Sequence, residues 1–139
     1  MRALVVVDLQ NDFMLGGALG VPEGDQVVPV ANRVLGHFNL VIATQDWHPA
    51  HHSLFASQHP GRTVGHMVDL DGLEQILWPD HCIQGAPGAA LVVGLDTRRT
   101  LKVFYKGTDP VIDSYIAIFD NGHRKFTGLN DYIKAGISR

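Results

Sequence analysis

Apolar residues recur along this chain in two rhythms. Two runs are short, unbroken and rich in branched side chains: Ala3-Leu4-Val5-Val6-Val7 and Leu40-Val41-Ile42-Ala43. Runs of this kind predict parallel strands, with the first a central one covered on both faces. Between them Val27, Val30, Ala31, Val34, Leu35 and Phe38 fall at helical spacing and predict an amphipathic helix over 26–38. Gly24 or Asp25 can cap it, and Pro29 sits in its first turn, where a missing donor does no harm. Strand, helix, strand (3–8, 26–38, 40–45) is a βαβ unit, whose crossover is right-handed. Both strands then end at the same rim, and the rim carries Asp8 and Asp46.

Further along the pattern thins. Residues 49–80 are rich in Gly, Pro and polar side chains and predict a long functional loop, with a short helical turn over 70–77. Leu91-Val92-Val93 is a short apolar segment. Thr100 to Tyr105 reads as a strand closed by Lys106-Gly107. Asp113 to Phe119 predicts a short amphipathic helix, Asn121-Gly122 a turn, and Leu129 to Ala135 a last helix with Gly136 as its C-cap. The whole, 1–139, reads as one α/β domain: a three-layer parallel sheet with helices on both faces, Rossmann-like in its layers.

Composition narrows the function. A chain of 139 residues is long enough for one core, and a net charge of −3 without basic runs gives no reason to expect nucleic acid or an anionic membrane. No apolar stretch approaches membrane length, and the N-terminal run is too short for a secretory signal. A single cysteine, Cys82, excludes an internal disulfide and suits a reducing compartment. The expectation is a cytoplasmic protein acting on a small molecule.

The candidate chemistry gathers at strand ends. Asp46 and His48 leave the second strand two residues apart, and in extended backbone they face one way. Pro49 keeps His48 extended. A carboxylate and an imidazole aimed at one point are two metal ligands or an acid–base pair. Trp78-Pro79-Asp80-His81-Cys82 closes the long loop, and His81 returning to this pair makes a three-ligand site with open positions. His52 is a candidate fourth ligand, whereas His51, His59 and His66 read as solvated loop residues. Asp8 is costly at the end of an apolar strand unless paired, and Lys106 is its natural partner. Phe13 is a ring-stacking wall or a hydrophobic anchor. Cys82 is a buried structural thiol rather than a partner of the adjacent His81, because neighbours in extended backbone face opposite ways.

Several stretches resemble the nicotinamidase/pyrazinamidase branch of the isochorismatase-like cysteine hydrolases. They are Val7-Asp8-Leu9-Gln10-Asn11-Asp12-Phe13, Gln45-Asp46-Trp47-His48-Pro49, Trp78-Pro79-Asp80-His81-Cys82 and Phe104-Tyr105-Lys106-Gly107, with Asp113-Ser114-Tyr115 and Phe119-Asp120-Asn121-Gly122. The resemblance implies hydrolysis of nicotinamide to nicotinate and ammonia through a cysteine thioester, as in NAD salvage. Asp8 matches the residue that takes and returns the thiol proton, and Lys106 the lysine paired with it. Asp46, His48 and His81 match the ligands of a divalent ion, zinc first, with iron or manganese as alternatives. Phe13 and Trp78 match the residues flanking the flat ring.

One departure stands against this. The family's nucleophilic cysteine follows a further strand, for which this sequence has no counterpart, and Cys82 aligns with a different cysteine. The expectation is therefore an incomplete sheet, a bare strand edge that self-association would cover, and a site with two of three catalytic residues. Competing readings are a catalytically silent metal- and nicotinamide-binding fragment, another amidase of the same superfamily, and, ranked last, a hydrolase whose metal activates water.

Overall fold

The computed structural model describes residues 2–137. Its centre is a parallel sheet of three strands, β1 (Ala3–Val7), β2 (Leu40–Asp46) and β5 (Lys102–Lys106), in the order β1-β2-β5. All seven residues of β2 are buried, the apolar run Leu40–Ala43 and the polar Thr44, Gln45 and Asp46 alike. The helix α1 (Val27–Leu35) lies on one face, where Val28, Ala31 and Leu35 pack with Val6, Val41 and Ala43. The helix α2 (Leu129–Ile137) covers the other, where Leu129 packs with Leu40, Ile42 and Phe104. The chain is thus an α/β protein with helices on both faces of a parallel sheet.

The register explains the rim. Val7 pairs with Thr44, and Asp46 pairs with Lys106. Paired residues on neighbouring strands project to the same side of a sheet. The register therefore sets Asp46 and Lys106 side by side. Asp8, one residue past β1, adopts a left-handed backbone (φ 52°) and leaves the sheet line there.

Five local expectations are corrected. The first strand is an edge rather than a central strand: among the described residues it pairs only with β2, and Val7 is 52% exposed. The helix α1 stops at Leu35, because Gly36 and His37 form a tighter turn in which the His37 N–H bonds the Val34 carbonyl. Residues 70–77 hold no helical turn. They belong to an antiparallel hairpin of β3 (Met67–Leu70) and β4 (Leu73–Ile76). Its Asp71-Gly72 corner has φ 56° and 81°, the left-handed pair that a two-residue hairpin loop demands. Segment 113–119 forms no helix either. The side chains of Asp113, Ser114 and Asn121 bond the Ser114 N–H, the Phe119 carbonyl and the Tyr115 N–H, competing with a helical ladder. The last helix also runs through Gly136, which is no C-cap. A Cβ there would lie 2.7 Å from Leu40 Cδ2, so the glycine lets α2 approach β2 closely.

Candidate metal and amidase site

Lys106 is the hub of the rim. It is buried, and its ammonium donates to Asp46 Oδ1 at 2.5 Å, Asp8 Oδ2 at 2.9 Å and the Ser114 carbonyl at 2.9 Å. Three donors meet three acceptors, so the charge is fully satisfied. Burial by itself would lower the pKa of Lys106, but the carboxylates of Asp46 and Asp8 outweigh it and raise it. Asp8 receives a second bond, from Thr44 Oγ1 to Oδ1 at 2.6 Å.

Asp46 faces two ways. Its Oδ1 holds Lys106, while its Oδ2 lies 3.7 Å from His48 Nε2 and 3.9 Å from His81 Nε2. Burial would raise the Asp46 pKa, but the neighbouring His48 ring and the Lys106 charge carry it below the ordinary carboxylate value. The His48 ring is oriented from behind: Nδ1 bonds the Gly107 carbonyl at 2.9 Å, which requires the proton on Nδ1 and leaves the Nε2 lone pair free. His81 repeats the device, with Nδ1 bonding the Pro79 carbonyl at 2.7 Å. Burial lowers the His81 pKa despite that carbonyl, favouring the neutral, ligating form. Ligand atoms of Asp46, His48 and His81 lie within 4.8 Å of one another, and all three residues are buried. His48 Nε2 is buried without any hydrogen-bond partner. Such an orphan is costly in a folded protein, and a cation among these three groups would satisfy it. One carboxylate and two neutral imidazoles suit a divalent metal ion.

His52 does not complete the set. Its Nδ1 accepts the Leu54 N–H at 3.0 Å, so the proton sits on Nε2, which makes no full hydrogen bond and has the Ile112 carbonyl nearby. Burial, with the neighbouring His48, pushes its pKa down to about 4. The unfolded chain would take up this proton near pH 6.5. Between roughly pH 6.5 and 4 the unfolded state holds the extra proton, so stability is lost as the pH falls through that window, by on the order of 3 kcal/mol. Urea melts in chelator at pH 7, 5.5 and 4 should show this decline, and His52→Leu should make it shallower. His51 and His66 are exposed, while His59 is half-buried, bonding the Ser53 carbonyl at 2.7 Å rather than water alone.

Gly107 was no more than a strand terminus in the sequence. Its φ of 63° is left-handed, and a Cβ there would meet His48 Cε1 at 2.3 Å and Nδ1 at 2.6 Å. Gly107→Ala should therefore displace the imidazole. The expected result is a stability loss of about 2 kcal/mol or more together with weakened zinc binding, read by thermal melts and a chelator competition.

A cleft of about 220 Å³ opens on these groups, lined by Asp8, Asp46, His81, Lys106, Asp113 and Ser114. Phe13 and Trp78 stand in its walls, with the Phe13 ring 5.9 Å from the His81 ring. Cys82 stays outside. It is fully buried, and burial, with the carboxylates of Asp46, Asp12 and Asp8, raises its thiol pKa far above the ordinary value. Its backbone is left-handed (φ 46°) rather than extended, so a kink separates it from His81. The sequence reading missed Gln10 and Thr44 as parts of the site. Gln10 is fully buried; its amide donates to the Asp46 carbonyl at 2.8 Å and accepts the Asp46 N–H at 2.7 Å, taking the place of a strand partner. Both residues act across 36 positions, and the only signal was their polarity beside apolar strands.

Comparison with known proteins agrees with this frame. The isochorismatase domain model matches residues 2–110, and the chain belongs to that family. It is 51% identical over 143 residues to the nicotinamidase of Escherichia coli K12, covering 96% of this chain and 64% of that protein. A solved nicotinamidase/pyrazinamidase of Acinetobacter baumanii superposes with a TM-score of 0.91 at 43% identity, over 96% of this chain and 64% of that one. The pyrazinamidase of Pyrococcus horikoshii, solved in complex with zinc, superposes at 0.68 with 35% identity, again over 96% and 64%. The chain thus spans 64% of the length of each of these relatives. Among the described residues no helix is long and apolar enough to cross a membrane.

Proposed function

We propose that this chain carries the site of a nicotinamidase-type amide hydrolase, which turns nicotinamide and water into nicotinate and ammonia. The observation that supports it most is the convergence of Asp8, Lys106, Asp46 and His81 on one cleft with Phe13 and Trp78 in its walls, and with His48 buried beside Asp46. In this reading the aromatic pair receives the flat ring. Asp46, His48 and His81 hold a divalent ion, zinc in the first instance. When bound, the ion supplies a Lewis-acidic anchor for the ring nitrogen and for water. Asp8 takes the proton of an attacking thiol and passes it to the departing nitrogen, so that ammonia leaves and a thioester remains for water to cleave. Lys106, bonded to Asp8 and Asp46 together, orients both carboxylates.

The thiol of this reaction is not Cys82, which is sealed from the cleft and held protonated by its surroundings. That observation favours a second reading, in which the chain by itself binds the ion and nicotinamide without turning it over. An ammonia-release assay on the zinc-loaded chain, run beside nicotinamide titrations by calorimetry, separates the two. Release supports the first reading; zinc-dependent binding without release supports the second. Neither binding nor release would overturn both. Release that disappears in Cys82→Ala would overturn the structural assignment of that thiol.

A further inference from the structure

The β3–β4 hairpin shares no strand with the parallel sheet. One of its side chains nevertheless reaches the cleft wall. Gln75, on β4, is 3% exposed. Its Oε1 accepts the Asp113 N–H at 3.0 Å, and its Nε2 donates to the Val111 carbonyl at 3.3 Å. One primary amide thus pairs with the backbone on both sides of Ile112, as a neighbouring strand would. Segment 109–115 belongs to no helix or strand, so its buried backbone groups must find partners elsewhere. From this point the chain turns onto the site. Asp113 Oδ1 accepts the Ser114 N–H at 2.6 Å, and the Ser114 carbonyl takes the third bond of the Lys106 ammonium at 2.9 Å. The other two bonds of Lys106 go to Asp8 and Asp46. Where the ammonium sits between its carboxylates therefore depends on where the Ser114 carbonyl is held.

We propose that Gln75 is a positioning residue: it pins segment 111–114 so that the Ser114 carbonyl fixes Lys106 between Asp8 and Asp46, and through Lys106 it sets the Asp46 carboxylate for the metal. Only the metal clause rests on the zinc reading above. Gln75→Met keeps most of the side-chain volume and loses both hydrogen bonds, which separates bonding from packing. Leu70→Ala, in the same hairpin and also buried, is the control for destabilisation alone.

The test uses the full chain and two readouts: the side-chain ¹⁵N resonance of Lys106, and zinc affinity measured against a chromophoric chelator. In the wild type the buried ammonium should give a slowly exchanging signal. In Gln75→Met that signal should shift or broaden away, and zinc affinity should fall about tenfold, the scale of lost outer partners at metal sites. Leu70→Ala should melt earlier and leave both readouts unchanged. Gln75→Glu, which keeps the acceptor for the Asp113 N–H, should fall between wild type and Gln75→Met, and it carries the test should the methionine variant not fold. A folded variant of either kind with wild-type Lys106 signal and zinc affinity overturns the proposal, as does Leu70→Ala reproducing the effect. Absence of zinc binding in the wild type would overturn the metal clause alone, and the Lys106 signal would still decide the rest.

Discussion

Replacing Lys106 with methionine should cost about 3–5 kcal/mol of stability at pH 7, the penalty for stranding buried charges by removing their partner. The substitution keeps volume and removes the one cation that, among the described residues, faces both Asp8 and Asp46. Two carboxylates would then share a largely buried rim, with Thr44 still donating to Asp8. The sign of the pH dependence follows. Without the ammonium, protonation of one carboxylate relieves the repulsion, so the folded state of the variant binds a proton more readily than the unfolded chain does. Its stability should therefore recover, relative to the wild type, as the pH falls from 7 towards 4. Chemical denaturation at several pH values measures this. A variant that is equally stable at all of them would show that the three groups do not form one electrostatic unit. Lys106→Arg should rescue little, because a planar guanidinium cannot point three donors at three converging oxygens.

The second large effect concerns the metal. His48→Ala and His81→Ala should each reduce zinc binding beyond detection in a chelator competition, a larger loss than the roughly 10–100-fold typical of outer partners. His59→Ala and His66→Ala should bind zinc as the wild type does, since neither ring reaches the Asp46 carboxylate. The two ligand variants should differ in one respect. His48 Nε2 is an orphaned buried atom without an ion, so removing that ring should harm the metal-free protein less than its complete burial suggests. Elemental analysis and metal-free melts check both statements.

What was legible in the sequence was whatever depended on short-range pattern. The unbroken runs of β1 and β2 and the helical spacing of α1 define a βαβ unit, and that unit brings Asp8 to the rim of Asp46. Asp46-Trp47-His48, with its following proline, was readable as a pair of converging groups for the same local reason. The hairpin carries a clear signal of its own and a competing one. Asp71-Gly72 is a strong two-residue turn pair, but Leu70 to Leu77 taken alone has an apolar spacing that fits a helix as well. The edge position of β1 was not readable, because an apolar run reports burial of its faces and says nothing about who pairs with its outer side. The supporting residues were beyond reach for a different reason. Gln10, Thr44, Gln75 and Gly107 act through contacts with residues 36 to 59 positions away, and nothing in their neighbours' identities marks them. His52 is the reverse case: the sequence leaves it open as a fourth ligand, whereas the backbone N–H of Leu54 engages its Nδ1.

The central claim is that one carboxylate and two imidazoles, Asp46, His48 and His81, hold a cation beside the Asp8–Lys106 pair, with Cys82 excluded. X-ray absorption on the zinc-loaded chain tests it most directly. The account predicts a shell of nitrogen and oxygen only, at about 2.0–2.2 Å, with the multiple-scattering pattern of two imidazoles. A sulfur scatterer at about 2.3 Å, or three imidazoles in the shell, would contradict it.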